Sequence, residues 1–312
     1  MILKYVLEVY ELLDQKDVTG ECIKQYLNQL GPADIEVQSI ETSNNKVDFI
    51  RITISGKNGK INGGNAKTLG ILGRLGGIGA RPRRIGFVSD GDGALSALAV
   101  ASKLIAMKAR GDILNGDVVI STQICPNAPT KSHKPVDFMG SAIEIHKSNE
   151  IEIRGEADAI ISVDTTKGNR IINYRGIAIS PTVKEGYILK TSEDLLDLLE
   201  MTTGKTPRVF ALSQLDITPY ENNLYHLNSI LQPATSTNAP VVGLAITTET
   251  VVAGCATGAS HFDDIEESGR FIIEVAKEYG NANVAFYDES EFDEIVRRYG
   301  SMKKFQTIGI DA

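Results

Sequence analysis

From Thr68 onward, short continuous runs of apolar and β-branched residues alternate with segments of helical spacing, and this constrains the fold more than any other feature of the chain. The runs are "LGIL", "RIGFVS", "DVVIST", "DAIISVD", "RVFAL", "PVVGLAI" and "NVAFYD". Helices are expected over 93–110, 192–201, 222–231, 262–279 and 289–299. A strand that is apolar on both faces needs cover on both faces, so these runs suit a largely parallel sheet. Strands of that kind alternating with helices predict an α/β layered fold.

The chain opens differently. One helix is expected from about Ile2 to Leu13. A second starts after "DVTGE", where Thr19 can cap it, and runs to about Leu30, stopped by Gly31 and Pro32. Two strands of alternating character follow, "IEVQSI" and "VDFIRITI", then the exposed loop "SGKNGKINGGNAK". No internal repeat, low-complexity segment or linker interrupts the sequence. One α/β domain over 1–312 is therefore expected, with the helices of residues 2–30 packed on its core.

Composition narrows the function. A chain of 312 residues with 42% hydrophobic and 23% charged residues is ordinary for a globular protein. A net charge of −8 argues against nucleic acid or an anionic membrane surface as the main partner. No apolar run is long enough to span a bilayer. The start, "MILKYVLEVYELL", lacks a basic region and a cleavage site, and reads as an amphipathic helix. Cys22, Cys125 and Cys255 are odd in number, widely spaced and without a C-x-x-C pattern, which fits reduced thiols and a cytoplasmic location. The expected partner is a small molecule or short peptide.

Open parallel sheets bind ligands outside the carboxyl ends of their strands. There "IGFVS" leads to Asp90 and Asp92, and "LGILG" leads to Arg74 and the cationic, glycine-rich "RLGGIGARPRR". "DVVIST" leads to Gln123, Cys125 and Asn127, with His133 beyond. "AIISV" leads to Asp164, Thr165, Thr166 and Lys167. "VVGLAI" leads to Thr247, Thr248 and Glu249, then to "AGCATGASH" with Cys255 and His261. Oxygen and imidazole donors together suit zinc, manganese or a similar divalent ion.

Each candidate also has a plainer reading. Asp90 can shape a turn, and Asp164 can end its strand in an Asx or Thr turn. Asp92 stands where a helix begins and fits an N-cap. His261 can cap or solvate the start of the helix over 262–279. Cys125 reads first as a buried small hydrophobe and second as a nucleophile. Arg81, Arg83 and Arg84 can form a solvated basic edge. His226 lies off the apolar face marked by Tyr225, Leu227, Ile230 and Leu231, toward a pocket or water. Neither a Walker A pattern nor a dinucleotide fingerprint is present in "GRLGGIG".

In order along the chain, these segments resemble the co-catalytic zinc exopeptidases, in particular their glutamyl- and tetrahedral-aminopeptidase branch. The match is carried by "VLEVYELLDQKDVTGECIKQYLNQLGPADIEV", "VSDGDGALSALAVASKL", "GDVVISTQI", "ADAIISVDTT" and "NAPVVGLAI" followed by His261. The resemblance implies a three-layer fold, with a mostly parallel or mixed central sheet and helices on both faces. The domain that branch inserts is absent, because "GARPRRIG" runs straight into the aspartate segment. It implies Asp90 as a bridging metal ligand, Asp164 as a terminal ligand and His261 as the last histidine. It also implies assembly into a homo-oligomer. The departures are specific. Arg74-Leu75-Gly76 stands where the family has His-x-Asp. "TQICPNA" stands where it has paired glutamates, one the general base. Gly91 stands where a second acid is usual.

More closely, the whole chain is similar to a bacterial and archaeal family of about this length known as a domain of unknown function. "LGRLGGIGARP", "ICPNAPT", "DTTKGNR", "ISPTVKEGYIL", "LYHLNSILQPAT" and "CATGASH" carry that match.

Three readings follow. The first is a metal-assisted hydrolase of an amide bond in a small peptide or acylated amino acid, with zinc, manganese or cobalt on Asp90, Asp164 and His261. Such an enzyme needs an ion to acidify water and a base to take its proton. The second is a metal-free, non-catalytic protein in which Arg74 pairs with Asp90 or Asp164 and, with His226 and Lys167, binds a carboxylate or amide ligand. The third is a thiol enzyme using Cys125, with His133 or His261 as base.

Overall fold

The computed structural model describes residues 1–42, 45–166, 168–251 and 256–309. Two helices lead, α1 (Leu3–Leu13) and α2 (Gly20–Leu30). The Thr19 hydroxyl accepts from the Cys22 N–H at 3.3 Å, which is the expected cap on α2. There follow β1 (Asp34–Glu41), β2 (Lys46–Ile54), β3 (Leu69–Gly73), α3 (Asp92–Ala109), β4 (Val118–Ile124), β5 (Thr130–Lys131), β6 (Phe138–Met139) and α4 (Ile145–Glu152). The second half holds β7 (Ala159–Thr166), β8 (Gly176–Ile179), β9 (Val183–Lys184), β10 (Tyr187–Ile188), α5 (Glu193–Thr203), β11 (Val241–Thr247), α6 (Phe262–Gly280) and α7 (Glu289–Tyr299).

Nine strands make one sheet in the order β1-β2-β4-β3-β7-β11-β9-β10, with β8 also paired to β11. The centre, β4-β3-β7-β11, is parallel. β1 and β2 add antiparallel strands at one side, and β8 and β9 do so at the other. The parallel centre is what the strand alternation predicts, and the antiparallel flanks make the sheet mixed, as the peptidase resemblance allows. The chain leaves β3 toward β4 and leaves β7 toward β11, so the strand order reverses near β3 and β7. That is where an open sheet leaves a crevice at its carboxyl edge.

The two faces of the sheet are covered unequally. Ile71, Ile120, Ile161 and Leu244 pack beneath α3, with α1, α2, α5 and α6 in the same apolar cluster. α3 is buried along nearly its whole length, which its small residues permit. A Cβ on Gly93 would lie 2.6 Å from the carbonyl oxygens of both Arg74 and Val163, so only glycine lets α3 begin directly against the ends of β3 and β7. Leu72, Ile160 and Ala245 face the other way, toward Phe210, Ile217, Ile230 and Leu231. There the cover is α4 and a long segment with two short 3-10 turns, Gln214–Ile217 and Gln232–Thr235.

Several expected elements are absent. "RIGFVS" is not a strand: it runs into a 3-10 turn at Ser89–Gly91. Its backbone bonds go to loops, Val88 N–H to Ile78 and Ser89 N–H to Thr257. "RVFAL" makes one bridge, Val209 with Ile179, and "NVAFYD" makes no strand. The helix expected over 222–231 does not form. Glu221 and Asn223 take φ of 75° and 59°, and Asn222 and Asp216 accept the N–H groups of Leu224 and Leu227 that a helix would use. Among the described residues no helix is long and apolar enough to cross a membrane.

Candidate functional site

Register places three polar side chains in one row at the carboxyl edge. Gly73 stands opposite Thr122 and Val163, so the next position aligns Arg74 with Gln123 on one side and Asp164 on the other. The Arg74 N–H donates to the Val163 carbonyl at 2.7 Å, which holds the alignment past the end of β3. By strand alternation all three face away from α3, toward α4 and the segment around Tyr220.

Arg74 and Glu152 form an ion pair between Nη1 and Oε2, with side chains only 6% and 2% exposed. Glu152 is the last residue of α4 and its backbone carbonyl accepts from Arg51. Burial raises the Glu152 carboxyl above the ordinary range, and the Arg74 charge opposes that shift. This corrects the expected partner of Arg74, which was Asp90 or Asp164. Among the described residues Glu152 is the one hydrogen-bond partner of the Arg74 side chain. Nearby on the same face, Gln123 Oε1, Asn149 Oδ1 and the second Glu152 oxygen are buried without a hydrogen-bond donor among the described residues. Each has its other polar atom engaged: Gln123 donates to the Leu75 carbonyl at 2.9 Å and Asn149 to the Gln232 carbonyl at 3.1 Å.

Asp90 and Asp164 do come to the same edge. The Thr165 hydroxyl donates to the Ser89 carbonyl at 2.8 Å, which fastens the Asp90 turn to the end of β7. Asp90 Oδ2 accepts from Gly76 N–H at 2.7 Å and from Gly77 N–H at 3.4 Å. Asp164 accepts from its neighbour's N–H, that of Thr165, at 2.8 Å and from the Ser229 hydroxyl at 2.7 Å. Asn228 donates to the Thr166 hydroxyl at 2.8 Å, so the 218–232 segment is tied across the end of β7. Tyr220 belongs to this cluster: its phenol is raised by burial first, then by the Asp164 charge, with Arg74 opposing.

The other candidates lie apart. Asp92 begins α3 and is buried, and it accepts from the Ser260 hydroxyl. Its pKa is raised well above the ordinary value by burial first, then by the Asp90 and Asp264 charges. His261 stands at the N-cap of α6, and its ring is grouped with Asp263 and Asp264, their ligand atoms within 4.8 Å of one another. Arg175 binds both of those carboxylates, at 2.7 Å and 3.1 Å. Among the described residues Asp90, Asp164 and His261 do not make such a group.

Cys125 is fully buried beside Val47, Phe49, Ala128 and Ile143, and burial raises its thiol pKa. His133 stacks on Phe138 at 3.7 Å, with Nδ1 3.3 Å from the Val136 carbonyl. No contact joins that ring to the thiol among the described residues. His226 is half-buried, its ring nitrogens 3.0 Å from the Leu224 carbonyl and 3.2 Å from the Thr218 hydroxyl. Of the basic edge, Arg83 pairs with Asp137 at 2.6 Å and Arg81 donates to the Asp14 carbonyl at 2.7 Å. Lys167 and Cys255 lie outside the described residues.

A co-catalytic pair of ions needs several carboxylate and imidazole ligands around one centre. Among the described residues the donor set does not fit it. An amide, Gln123, and a guanidinium, Arg74, share the strand-end row with Asp164, and His261 is grouped with acids already paired to Arg175. Glu152, Asn149, Tyr220 and Ser229 escaped sequence reading, since each is joined to the row by a contact between distant segments.

The fold is shared with solved structures, an aminopeptidase among them. Cytosol aminopeptidase from Coxiella burnetii is similar at 12% identity and a TM-score of 0.50, over 89% of this chain and 68% of that one. The bottromycin maturation enzyme BotP, in complex with Mn, is similar at 14% identity and a TM-score of 0.53, over 89% of this chain and 70% of that one. Comparison with curated protein sequences finds no match. A family profile matches residues 38–309, and the chain therefore belongs to the family described as protein of unknown function, DUF1177.

Proposed function

We propose that the chain is a metal-free, small-ligand-binding protein on a peptidase-like scaffold, reading an amide or carboxylate group at the strand ends. The observation that carries this is the buried Arg74–Glu152 pair together with its neighbours. The guanidinium keeps N–H groups beyond those spent on Glu152. Gln123, Asn149 and Glu152 keep buried acceptors. An amide offers a carbonyl to the first and N–H groups to the second, so one small planar group satisfies both. Buried polar atoms left without partners are costly, and a ligand that pairs them recovers that cost. Arg74 takes the positive charge that an ion supplies elsewhere, and its planar fork selects a planar acceptor.

The metal-assisted amide hydrolase is the second reading, favoured by Asp164 near the carboxyl end of β7 and Asp90 in the turn fastened to that strand end. One experiment separates the two. Protein purified without chelator is equilibrated with zinc, manganese or cobalt, and bound metal is measured by mass spectrometry for the native chain and for Asp164→Ala. The expected result is no stoichiometric ion that depends on Asp164. A bound ion that disappears in Asp164→Ala overturns the metal-free reading. In a parallel thermal-shift series, N-acetylalanine amide is expected to stabilise the native chain. Arg74→Lys is expected to weaken that binding about tenfold, equivalent to roughly 1.4 kcal/mol.

A further inference from the structure

A cleft lies at the opposite edge of the sheet, and none of the strand-end residues lines it. It has a volume of about 790 Å³. Its floor is the start of the parallel strands: Lys67 and Asp158 lead into β3 and β7, and Pro240 leads into β11. Its sides are Ser236 and Thr237 from one loop, and Tyr279, Tyr287 and Glu289 from the C-terminal helices and their connection.

Two of the four charged side chains that line it are already paired. Asp158 binds Lys60 at 2.6 Å and the Thr68 N–H at 2.7 Å. Lys184 is held by Glu185 at 3.1 Å and by the Asn238 carbonyl at 2.7 Å. Two charges are left over, of opposite sign. Lys67 has no ion pair among the described residues, and its ammonium stands 5.4 Å from the centre of the Tyr279 ring. Glu289, in the first turn of α7, also has no ion pair among the described residues. Tyr279 senses this arrangement: its phenol is raised by burial, then by the charges of Asp158, Tyr287 and Glu289. The Ser236 hydroxyl is buried at the wall without a hydrogen-bond partner among the described residues.

From this geometry we propose that the cleft is a binding site for a small zwitterion, a free amino acid or short peptide with both termini charged. Lys67 takes the carboxylate and Glu289 takes the ammonium. Tyr287 flanks the organic part, and the Ser236 hydroxyl turns to a ligand polar group. A singly charged ligand satisfies one of the two leftover charges and faces the other uncompensated. Recognition at both ends therefore selects against blocked termini. A cleft of this size admits a ligand of amino-acid to tripeptide dimensions. The cleft shares no residue with the strand-end site.

The test uses the full chain labelled with ¹⁵N and four probes: phenylalanine, glycylphenylalanine, N-acetyl-glycylphenylalanine and glycylphenylalanine amide. The expected result is saturable shifts of the amide resonances of Ser236, Thr237 and Tyr287 with one of the two free zwitterions. Each blocked form is expected to bind at least about tenfold more weakly. Which zwitterion binds tells whether the cleft spans one residue or two. Lys67→Ala and Glu289→Gln, both at solvent-accessible positions, are each expected to weaken the zwitterion about tenfold while leaving the rest of the spectrum in place. Blocked and free probes binding alike, no shifts up to about 10 mM probe, or binding indifferent to both substitutions each overturns the proposal.

Discussion

Arg74 at the end of β3 and Glu152 at the end of α4 neutralise each other in the interior, 78 residues apart in sequence. The pair anchors α4 over the row Gln123–Arg74–Asp164 and fixes what the strand ends can do. A guanidinium held there supplies a permanent positive charge and planar donors. It supplies neither a ligand nor a base for hydrolysis.

Breaking the pair from one side should be expensive. Arg74→Ala leaves the Glu152 carboxylate buried without its counter-charge, and a loss of about 3–5 kcal/mol is expected. The double substitution Arg74→Met with Glu152→Leu removes both charges and should recover most of that loss. Urea unfolding of the two single variants and the double variant measures the coupling. A double variant as unstable as the sum of the singles contradicts a tightly coupled buried pair.

Asp92 makes stability depend on pH in an unusual direction. Burial, with Asp90 and Asp264 nearby, raises its folded pKa well above the ordinary value of 3.8. A raised carboxyl pKa means that the folded state holds the proton longer than the unfolded state. The associated stability is complete below the unfolded pKa and is lost as pH rises through the folded one. Asp264 is raised as well and acts with the same sign. Asp92→Asn keeps the shape and the contact with Ser260 but removes the titration. The variant should show a flatter decline of unfolding midpoint from about pH 4 upward and should match or exceed the native chain at about pH 8. A native profile that rises over that interval, unchanged in the variant, contradicts the assignment.

Gly93→Ala opposes two effects of known sign. Helix propensity alone predicts a gain of up to about 1 kcal/mol. The new Cβ, however, would stand 2.6 Å from two backbone oxygens, of Arg74 and Val163, and backbone cannot give way cheaply. The clash should win, with a loss of about 1–3 kcal/mol by thermal or urea unfolding. A stabilised variant means that α3 does not approach the strand ends this closely.

The parallel core was legible because β3, β4, β7 and β11 are apolar on both faces, a pattern set by burial alone. "FVS" carries the same pattern without being a strand. Phe87 and Val88 are buried, but their N–H groups bond to the Asp14 side chain and the Ile78 carbonyl, so apolarity reported burial and not a ladder. Residues 222–231 have helical spacing, yet the side chains of Asn222 and Asp216 capture backbone N–H groups in a loop. At the site, Asp90 and Asp164 were visible because each ends an apolar run. Glu152 was not: in "IHKSNEIEIRG" it reads as one more acid on a polar helix, and its meaning comes from a partner in another element.

Ser229 tests whether the 218–232 segment is held by Asp164. Its hydroxyl donates to Asp164 Oδ2 at 2.7 Å, and hydrogen bonds to charged acceptors are the stronger kind. Ser229→Ala is expected to cost about 1.5 kcal/mol and to loosen this segment locally. Limited proteolysis should then cut within 218–232 faster than in the native chain, while the β4-β3-β7-β11 core stays resistant. Equal cutting rates contradict a segment pinned by this bond.

Cys125 provides the last test, since a thiol enzyme and a packed core make opposite predictions for it. The side chain is fully buried among Val47, Phe49, Ala128 and Ile143, and burial lifts its pKa, so little thiolate forms near neutral pH. His133, the base it would need, is stacked on Phe138 instead. Alkylation by iodoacetamide in native buffer, mapped by peptide mass spectrometry, should leave Cys125 unmodified and should label it promptly in urea. Cys125→Ser should lower stability by about 1–3 kcal/mol, because it buries a hydroxyl in an apolar cluster. Rapid native alkylation of Cys125, slowed by His133→Ala, reverses this conclusion and supports the thiol-enzyme reading.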